Sequence, residues 1–312
     1  RDFCLSRGLG DVYKRQEMEF YLKYLRHILA LLLCVTLMLP MTACEKKENN
    51  GFVDITLNEV AHSIFYAPQY AAIELGYFKD ENINLNLVTG FGADKVMTAL
   101  VSGEADIGFM GSESSIYVYQ EGSTDYAVNF AQLTQRAGNF VVARENADSF
   151  SYEDMIGKDV LGGRAGGTPE MVYEYVLREN GVSPSEVKID QSIDFGSTAA
   201  AFSGGQGDYT IEFEPSATAL EQSGDGYVVA SIGVDSGYLP YTAFCAKESY
   251  LKENADLIQH FTNALQKGMD YVAGHSPEEI ASVIVPQFSE TDLKTLTPVS
   301  YTHLRAHETG RN

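Results

Sequence analysis

The chain has 312 residues, 45% of them hydrophobic, with 22 Lys+Arg against 43 Asp+Glu and a formal net charge of −21. So acidic a chain repels phosphate backbones, which argues against nucleic acid as a partner. The length allows one large or two medium domains, and the overall charge says nothing about the field inside a cleft.

Residues 1–17 (RDFCLSRGLGDVYKRQE) precede the first methionine, Met18, and carry no helical or strand period. Together with residues 300–312 (SYTHLRAHETGRN) they are expected to be non-native ends, a genuine disordered tail being the alternative. Residues 18–44 have the layout of an export signal. Lys23, Arg26 and His27 form a short basic region, and Ile28 to Leu39 is an apolar run shorter than the ~20 residues of a spanning helix. Met41-Thr42-Ala43-Cys44 then closes on a cysteine. This resembles the lipobox of bacterial lipoproteins, with Met41 where leucine is more usual, and implies lipidation of Cys44. An ordinary cleaved signal is the other reading. Residues 45–52 form a polar linker of the kind a tethered domain needs. Beyond these segments only Cys245 remains, so the exported part is expected to hold no internal disulfide and no cysteine metal cluster, with Cys245 buried.

The rest alternates strand and helix. Val53 to Val60 reads as a strand, and Pro68 to Leu75 as a helix with an early proline and Gly76 as its stop. Asn84 to Val88, Ala93 to Val101 and Ile107 to Met110 follow as strand, helix and strand. Further on come strand Asp159 to Leu161, helix Pro169 to Asn180, and strands at Val187 to Ile189, Tyr209 to Phe213 and Tyr227 to Ser231. A long helix from Tyr250 to Val272, with Leu257, Phe261, Leu265 and Met269 at helical spacing, precedes Pro277 to Ile284 and is expected to pack back on the first lobe. The pattern predicts an α/β protein of two lobes, with parallel or mixed sheets flanked by helices and a ligand cleft between them. Residues 53–146 plus 243–299 are assigned to lobe 1 and 147–242 to lobe 2.

Two stretches sharpen this expectation. Ala99 to Ser114 (ALVSGEADIGFMGSES) and Ala201 to Ser216 (AFSGGQGDYTIEFEPS) align Asp106 with Asp208 and Ser114 with Ser216. Either two ordinary helix–turn–strand units agree by chance, or each lobe contains one copy. In the second case Gly111-Ser112-Glu113 would face Glu212-Phe213-Glu214 across a cleft at the carboxyl edges of the strands, where open α/β sheets bind ligands.

The run HSIFYAPQYAAIELGYFKDENINLNLV (His62 to Val88), SGEADIG (Ser102 to Gly108), GGRAGGTPEM (Gly162 to Met171), FEPSAT (Phe213 to Thr218) and GYLPYT (Gly237 to Thr242) together resemble a family of importer receptors. These are the nitrate, sulfonate, taurine and thiamine-pyrimidine-precursor binding proteins of ABC importers. The resemblance covers about Val53 to Pro298. It implies a two-lobed, type II periplasmic-binding-protein-like fold, no catalysis, and an ABC permease and ATPase as partners. A monomer held at the outer face of the cytoplasmic membrane by its lipid is the expected state. An enzyme like those of thiamine-pyrimidine synthesis, or a surface sensor on the same fold, are the alternatives.

Candidate ligand contacts come from four loops. The first holds His62, Ser63, Tyr66 and Gln69, between a strand and a helix; Tyr66 alternatively staples that helix, and His62, lacking a second metal ligand, reads as a hydrogen-bonding residue. The second, Gly90 to Asp94, opens a helix and offers backbone amides at Gly92, or is simply a tight turn. The third runs from Gly162 to Glu170. Its Gly167 and Thr168 open a helix, Thr168 is able to cap it, and Arg164 pairs with a ligand anion or a cleft carboxylate. The fourth places Glu212 and Glu214 on one side of a strand, suited to an amine or amidine. With no tryptophan in the chain, stacking falls to aromatics such as Tyr66, Phe195 and Tyr241. No cofactor and no metal is expected.

Overall fold

The computed structural model describes residues 51–146, 149–289, 291 and 296. The expected leader, the signal with Cys44, most of the linker and the 300–312 tail lie outside the described residues.

Among the described residues ten strands form two five-stranded sheets. The first contains β1 (Val53–Glu59), β2 (Ile83–Thr89), β3 (Ile107–Gly111), β4 (Ala127–Thr134) and β10 (Thr242–Lys247), in the order β2-β1-β3-β10-β4. The second contains β5 (Asn139–Ala143), β6 (Asp159–Leu161), β7 (Lys188–Asp190), β8 (Tyr209–Phe213) and β9 (Tyr227–Ser231), in the order β7-β6-β8-β5-β9. In both sheets the first three strands are parallel and the fourth runs against its two neighbours. That reversed strand is, in each sheet, the first one after the chain crosses from the other lobe.

The repeated aspartates have the same task in both lobes. Thr56 N–H donates to the Asp106 carboxylate at 2.8 Å, and Asp106 N–H donates to Thr56 O at 3.0 Å. In the second lobe Asp159 N–H donates to the Asp208 carboxylate at 3.0 Å, and Asp208 N–H donates to Asp159 O at 2.7 Å. Each aspartate thus caps an amide that the first parallel rung leaves without a partner. The sequence similarity is therefore a structural equivalence, with β3 matching β8, β1 matching β6 and β2 matching β7.

The lobe boundary differs from the expected one. Strand β5 follows β4 after four residues, 135–138, yet it joins the second sheet, so the crossing precedes residue 139 rather than following 146. A strand–turn–strand pattern has the same residue signals whether the chain folds back on its own sheet or passes to another. The two crossings lie side by side. Leu239 N–H donates to Gln135 O at 3.0 Å, Tyr241 N–H to Thr134 O at 3.2 Å, and the Arg136 guanidinium to Gly233 O at 3.0 Å.

The core of the first lobe is aromatic. Phe109 on β3 stacks on Phe244 of β10 with centroids 4.2 Å apart, and Phe244 meets Phe261 edge-on at 5.5 Å. The long helix expected over 250–272 is broken at Asn254, whose backbone (φ −124, ψ 33) leaves the helical region, giving segments Glu248–Glu253 and Ala255–Gly274. The second segment does return to the first lobe, with Phe261, Ala264, Leu265 and Gly268 buried. Gly268 lets it press against the carbonyl of Pro68, a space any Cβ would fill. Cys245 is buried on β10, where burial pushes its thiol up to about 12. It is a packing residue, not a nucleophile.

Candidate functional site

The carboxyl edges of the two sheets face each other around a cavity of about 480 Å³. Its floor and walls carry Tyr66, Met97, Tyr117, Phe195, Phe213 and Tyr241, and its mouth carries Asp94 and Arg164. Among the expected contacts, Tyr66, Gly111, Glu113, Arg164, Gly167, Thr168, Phe195 and Tyr241 line this space.

Three sets of loops meet across it, and they obey the pairing of equivalent strands. The loop after β3 meets the loop after β6. Here Glu113, the first residue of helix Glu113–Gln120, sends its carboxylate to the start of helix Thr168–Glu179. Thr168 N–H donates to Glu113 Oε1 at 3.0 Å, and the Thr168 hydroxyl donates to Oε2. Thr168 therefore does not cap its own helix, as its residue type suggests. The N-cap is Gly167, which has no side chain to offer, and the cap comes from the opposite lobe. Gly111 makes room for this, since a Cβ there would collide with both the carboxylate and the hydroxyl.

The loop after β2 meets the loops after β6 and β7. Arg164 pairs with Asp94 at 2.6 Å and with Asp194, while Lys95 reaches Asp194 at 2.7 Å. Burial alone lowers the Arg164 pKa, but the two aspartates outweigh it and raise it. The hydrogen bond from Lys95, joined by Arg164, lowers that of Asp194. Arg164 has thus found carboxylates of the protein itself, one from each lobe. Gly92 sits beneath this cluster, where a Cβ would press on Asp94 and Arg164.

The loop after β1 meets the loop after β8. The Ser63 hydroxyl, fully buried, donates to Glu214 O at 2.7 Å, so Ser63 links the lobes instead of facing the cavity. Gly111, Glu113 and Phe213 share the cavity, as expected for facing loops, while Glu212 and Glu214 do not line it. The hydrogen bonds between the lobes join each of these loops to the other lobe's equivalent of its neighbour, as a two-fold relation between the lobes requires.

Glu212 and Glu214 line a separate, more polar recess of about 370 Å³, together with His62 and Phe91. Phe195 and Phe213 border both spaces and meet edge-on at 5.4 Å. Glu214 is occupied locally, accepting from Thr218 N–H and hydroxyl, each at 2.9 Å. Burial raises its pKa and those two bonds oppose the rise. Glu212 accepts from Thr210 at 2.7 Å, and burial pushes it up to about 7 against the bonds from Thr210 and Thr198.

Gln69 and Ser112 stand outside both spaces. Gln69 donates to Glu59 at 2.8 Å, and the Ser112 carbonyl accepts from Ser115 at 2.7 Å. Glu59, unmarked in the sequence, is a fully buried carboxylate at the end of β1. It also takes Tyr70 at 2.9 Å, Thr89 at 3.0 Å and His62 Nδ1 at 2.7 Å. Burial lowers the His62 pKa, but the Glu59 hydrogen bond and charge outweigh it and raise it. The other His62 nitrogen bonds Gln287 O at 2.8 Å, so His62 ties the β1 loop to the turn after helix Pro277–Ile284.

Tyr66 is different. Its ring packs edge-on against Phe109 at 4.5 Å, yet its buried hydroxyl has no partner of good geometry; Thr242 is close enough to affect it but off the hydrogen-bond direction. Burial, then the charge of Glu59, raises its pKa far above the ordinary phenol value, so the group stays neutral.

Comparison with known proteins agrees with this architecture. YtlA of Bacillus subtilis (strain 168), whose name describes it as a candidate binding protein, is 44% identical over 259 residues, covering 83% of this chain and 77% of that protein. The nitrate-binding protein NrtA of Synechocystis PCC 6803 superposes with a TM-score of 0.68 at 14% identity, covering 80% of this chain and 70% of the other. The aliphatic sulphonate binding protein SsuA of Escherichia coli does so with 0.62 at 16%, covering 81% and 83%. The fold is that of the periplasmic binding proteins. The model described as NMT1/THI5 like matches residues 64–280, and the chain belongs to that family.

Proposed function

We propose that this protein is the extracytoplasmic receptor of an ABC importer, catching a small polar solute, a thiamine pyrimidine precursor or a sulfonate- or nitrate-like anion, between its lobes and handing it to a permease. The observation that carries this reading is the cavity of about 480 Å³ between the lobes, walled by aromatic side chains from both and bridged by contacts that a hinge can make and break. The relatives support it, since NrtA and SsuA are named for binding nitrate and sulphonate. Export and a lipid tether at Cys44 fit the same role, because a receptor for an importer works outside the membrane and close to its permease. The protein acts as a monomer and without catalysis in this reading.

Native mass spectrometry of the purified protein tests the central claim. A co-purified small molecule, released on denaturation, is the expected result. Absence of any bound solute, together with no heat of binding across a panel of nitrogen heterocycles, amines, sulfonates and nitrate, would overturn it. For the tether, Cys44→Ala is expected to move the protein from the membrane fraction to the soluble one.

A further inference from the structure

We propose that Glu113 is the charge-selecting residue of the cleft: it fills the anion seat at the start of helix Thr168–Glu179, so that anions are refused and a solute bearing an amino or amidinium group is admitted. This rests on the reading of the cavity as a solute site and adds the charge class of the solute.

The reasoning begins with what an anionic ligand would need. Exposed amides at a helix N-terminus and a free cation are the usual partners of a sulfonate, nitrate or carboxylate. At the start of helix Thr168–Glu179 and at Arg164 neither is free. The Thr168 amide and hydroxyl already bind the Glu113 carboxylate, and the Gly166 amide goes to Glu170 at 3.3 Å. Arg164 is held by Asp94 and Asp194, one from each lobe. An anion entering the cavity would meet the buried Glu113 carboxylate as a like charge close by. At ~4 Å and an effective dielectric constant near 20 that repulsion corresponds to an affinity loss on the order of 1,000-fold.

A cation or a strong N–H donor meets the opposite situation. It can share Glu113 with Thr168, keeping the cross-lobe contact and adding a third partner to a carboxylate that has lone pairs to spare. Tyr66 lines the same cavity as a neutral phenol. The rings of Tyr117, Phe195, Phe213 and Tyr241 supply flat walls for a planar body. Recognition of an amine therefore falls to Glu113 and not to Glu212 and Glu214, whose recess lies on the far side of Phe195 and Phe213.

Calorimetry on the exported chain with benzamidine and 4-aminopyrimidine, and with ethanesulfonate and nitrate, decides the matter. The wild type is expected to bind at least one of the first pair and neither of the second at millimolar concentration. Glu113→Gln, which keeps the shape and removes the charge, is expected to weaken the amidine or amine by about 10- to 100-fold and to give measurable ethanesulfonate binding. Glu214→Gln makes the same charge change outside this cavity and is expected to do neither. Should Glu113→Gln melt too low to titrate, Glu113→Ala supplies an independent readout: acetate is expected to bind and stabilise that variant, by occupying the vacated seat at Thr168, and to leave the wild type unmoved. Ethanesulfonate or nitrate binding by the wild type, or unchanged selectivity in Glu113→Gln, overturns the charge filter and leaves the receptor reading standing. If no probe binds and no solute co-purifies, the receptor reading itself falls.

Discussion

The loops that follow β3 and β8 occupy equivalent places in the two lobes, and each carries a carboxylate to the rim of the cleft. They use it in opposite ways. After β3, Gly111 leaves space and Glu113 crosses to the other lobe, where it caps a helix that has no cap of its own. After β8, Phe213 stands where β3 has Gly111, and Glu214 turns inward to Thr218 of its own helix Ser216–Ser223. One residue earlier, Met110 on β3 corresponds to Glu212 on β8. A duplicated unit has thus been specialised: one copy joins the lobes and sets the charge of the cavity, while the other stabilises its own lobe and keeps a buried acid.

The largest expected difference between the copies is pH dependence. Glu212 titrates at about 7 in the folded protein and near 4.5 in an unfolded chain, so the folded state holds the proton more tightly. Its stabilising contribution is complete below about pH 4.5 and is lost as pH rises through 7, a difference of about 3 kcal/mol. Glu212→Gln is expected to flatten the fall in unfolding free energy between pH 5 and 8, measured by urea denaturation. An unchanged slope would assign the pH dependence elsewhere.

Gly111→Val puts a branched side chain where the crossing carboxylate and its hydroxyl partner sit. A destabilisation of about 2 kcal/mol is expected from overpacking, with solute affinity falling at least about 10-fold as Glu113 is pushed aside. Phe213→Leu, the reciprocal change in the other copy, is expected to enlarge the cavity without breaking a cross-lobe bond. Comparing the two by calorimetry isolates the crossing contact from general wall packing.

Glu214→Ala removes a helix cap and is expected to lower stability by about 1 kcal/mol while leaving the charge preference of the cavity unchanged. A change in preference would mean that the two carboxylates are coupled through Phe213. The smallest and most symmetric test is Asp106→Asn against Asp208→Asn. Both keep a side chain that can accept from the neighbouring strand, so each is expected to cost about 0.5–1 kcal/mol. Equal losses support the equivalence of the lobes, and a gap of more than about 1 kcal/mol would break it.

Much of this fold can be read along the chain. The α/β alternation, the duplicated aspartate unit and the glycine-opened helix at Gly167–Thr168 follow from local patterns whose physical causes lie within a few residues: strand alternation, a proline in the first turn, a glycine stop. Strands β4, β5 and β10 do not stand out in that way. β5 and β10 are short, central and buried on both faces, so they lack the alternation that marks a half-exposed strand, and β4, an eight-residue edge strand, shows no strict alternation in its burial either. The break at Asn254 is equally hidden, because helical spacing continues across it.

At the site, residue type suggested polar contacts to a ligand at Ser63, Gln69, Arg164 and Glu214, and the structure gives each a partner within the protein. Glu59 went unnoticed because an acid in the strand VDITLNE reads as an ordinary end residue. Only its neighbours in space, Gln69, Tyr70, Thr89 and His62, make it the centre of a buried cluster.

The sequence by itself determined the class of fold, the existence of two related units and the set of loops from which the cleft is built, because those depend on periodicities and turn chemistry that act locally. The tertiary structure alone decided which loop meets which, that Arg164 is taken by Asp94 and Asp194, and that Glu113 fills the seat at Thr168. Those pairings depend on the rotation of one lobe against the other, and a hydrogen bond between residues 55 positions apart leaves no periodic trace in the chain.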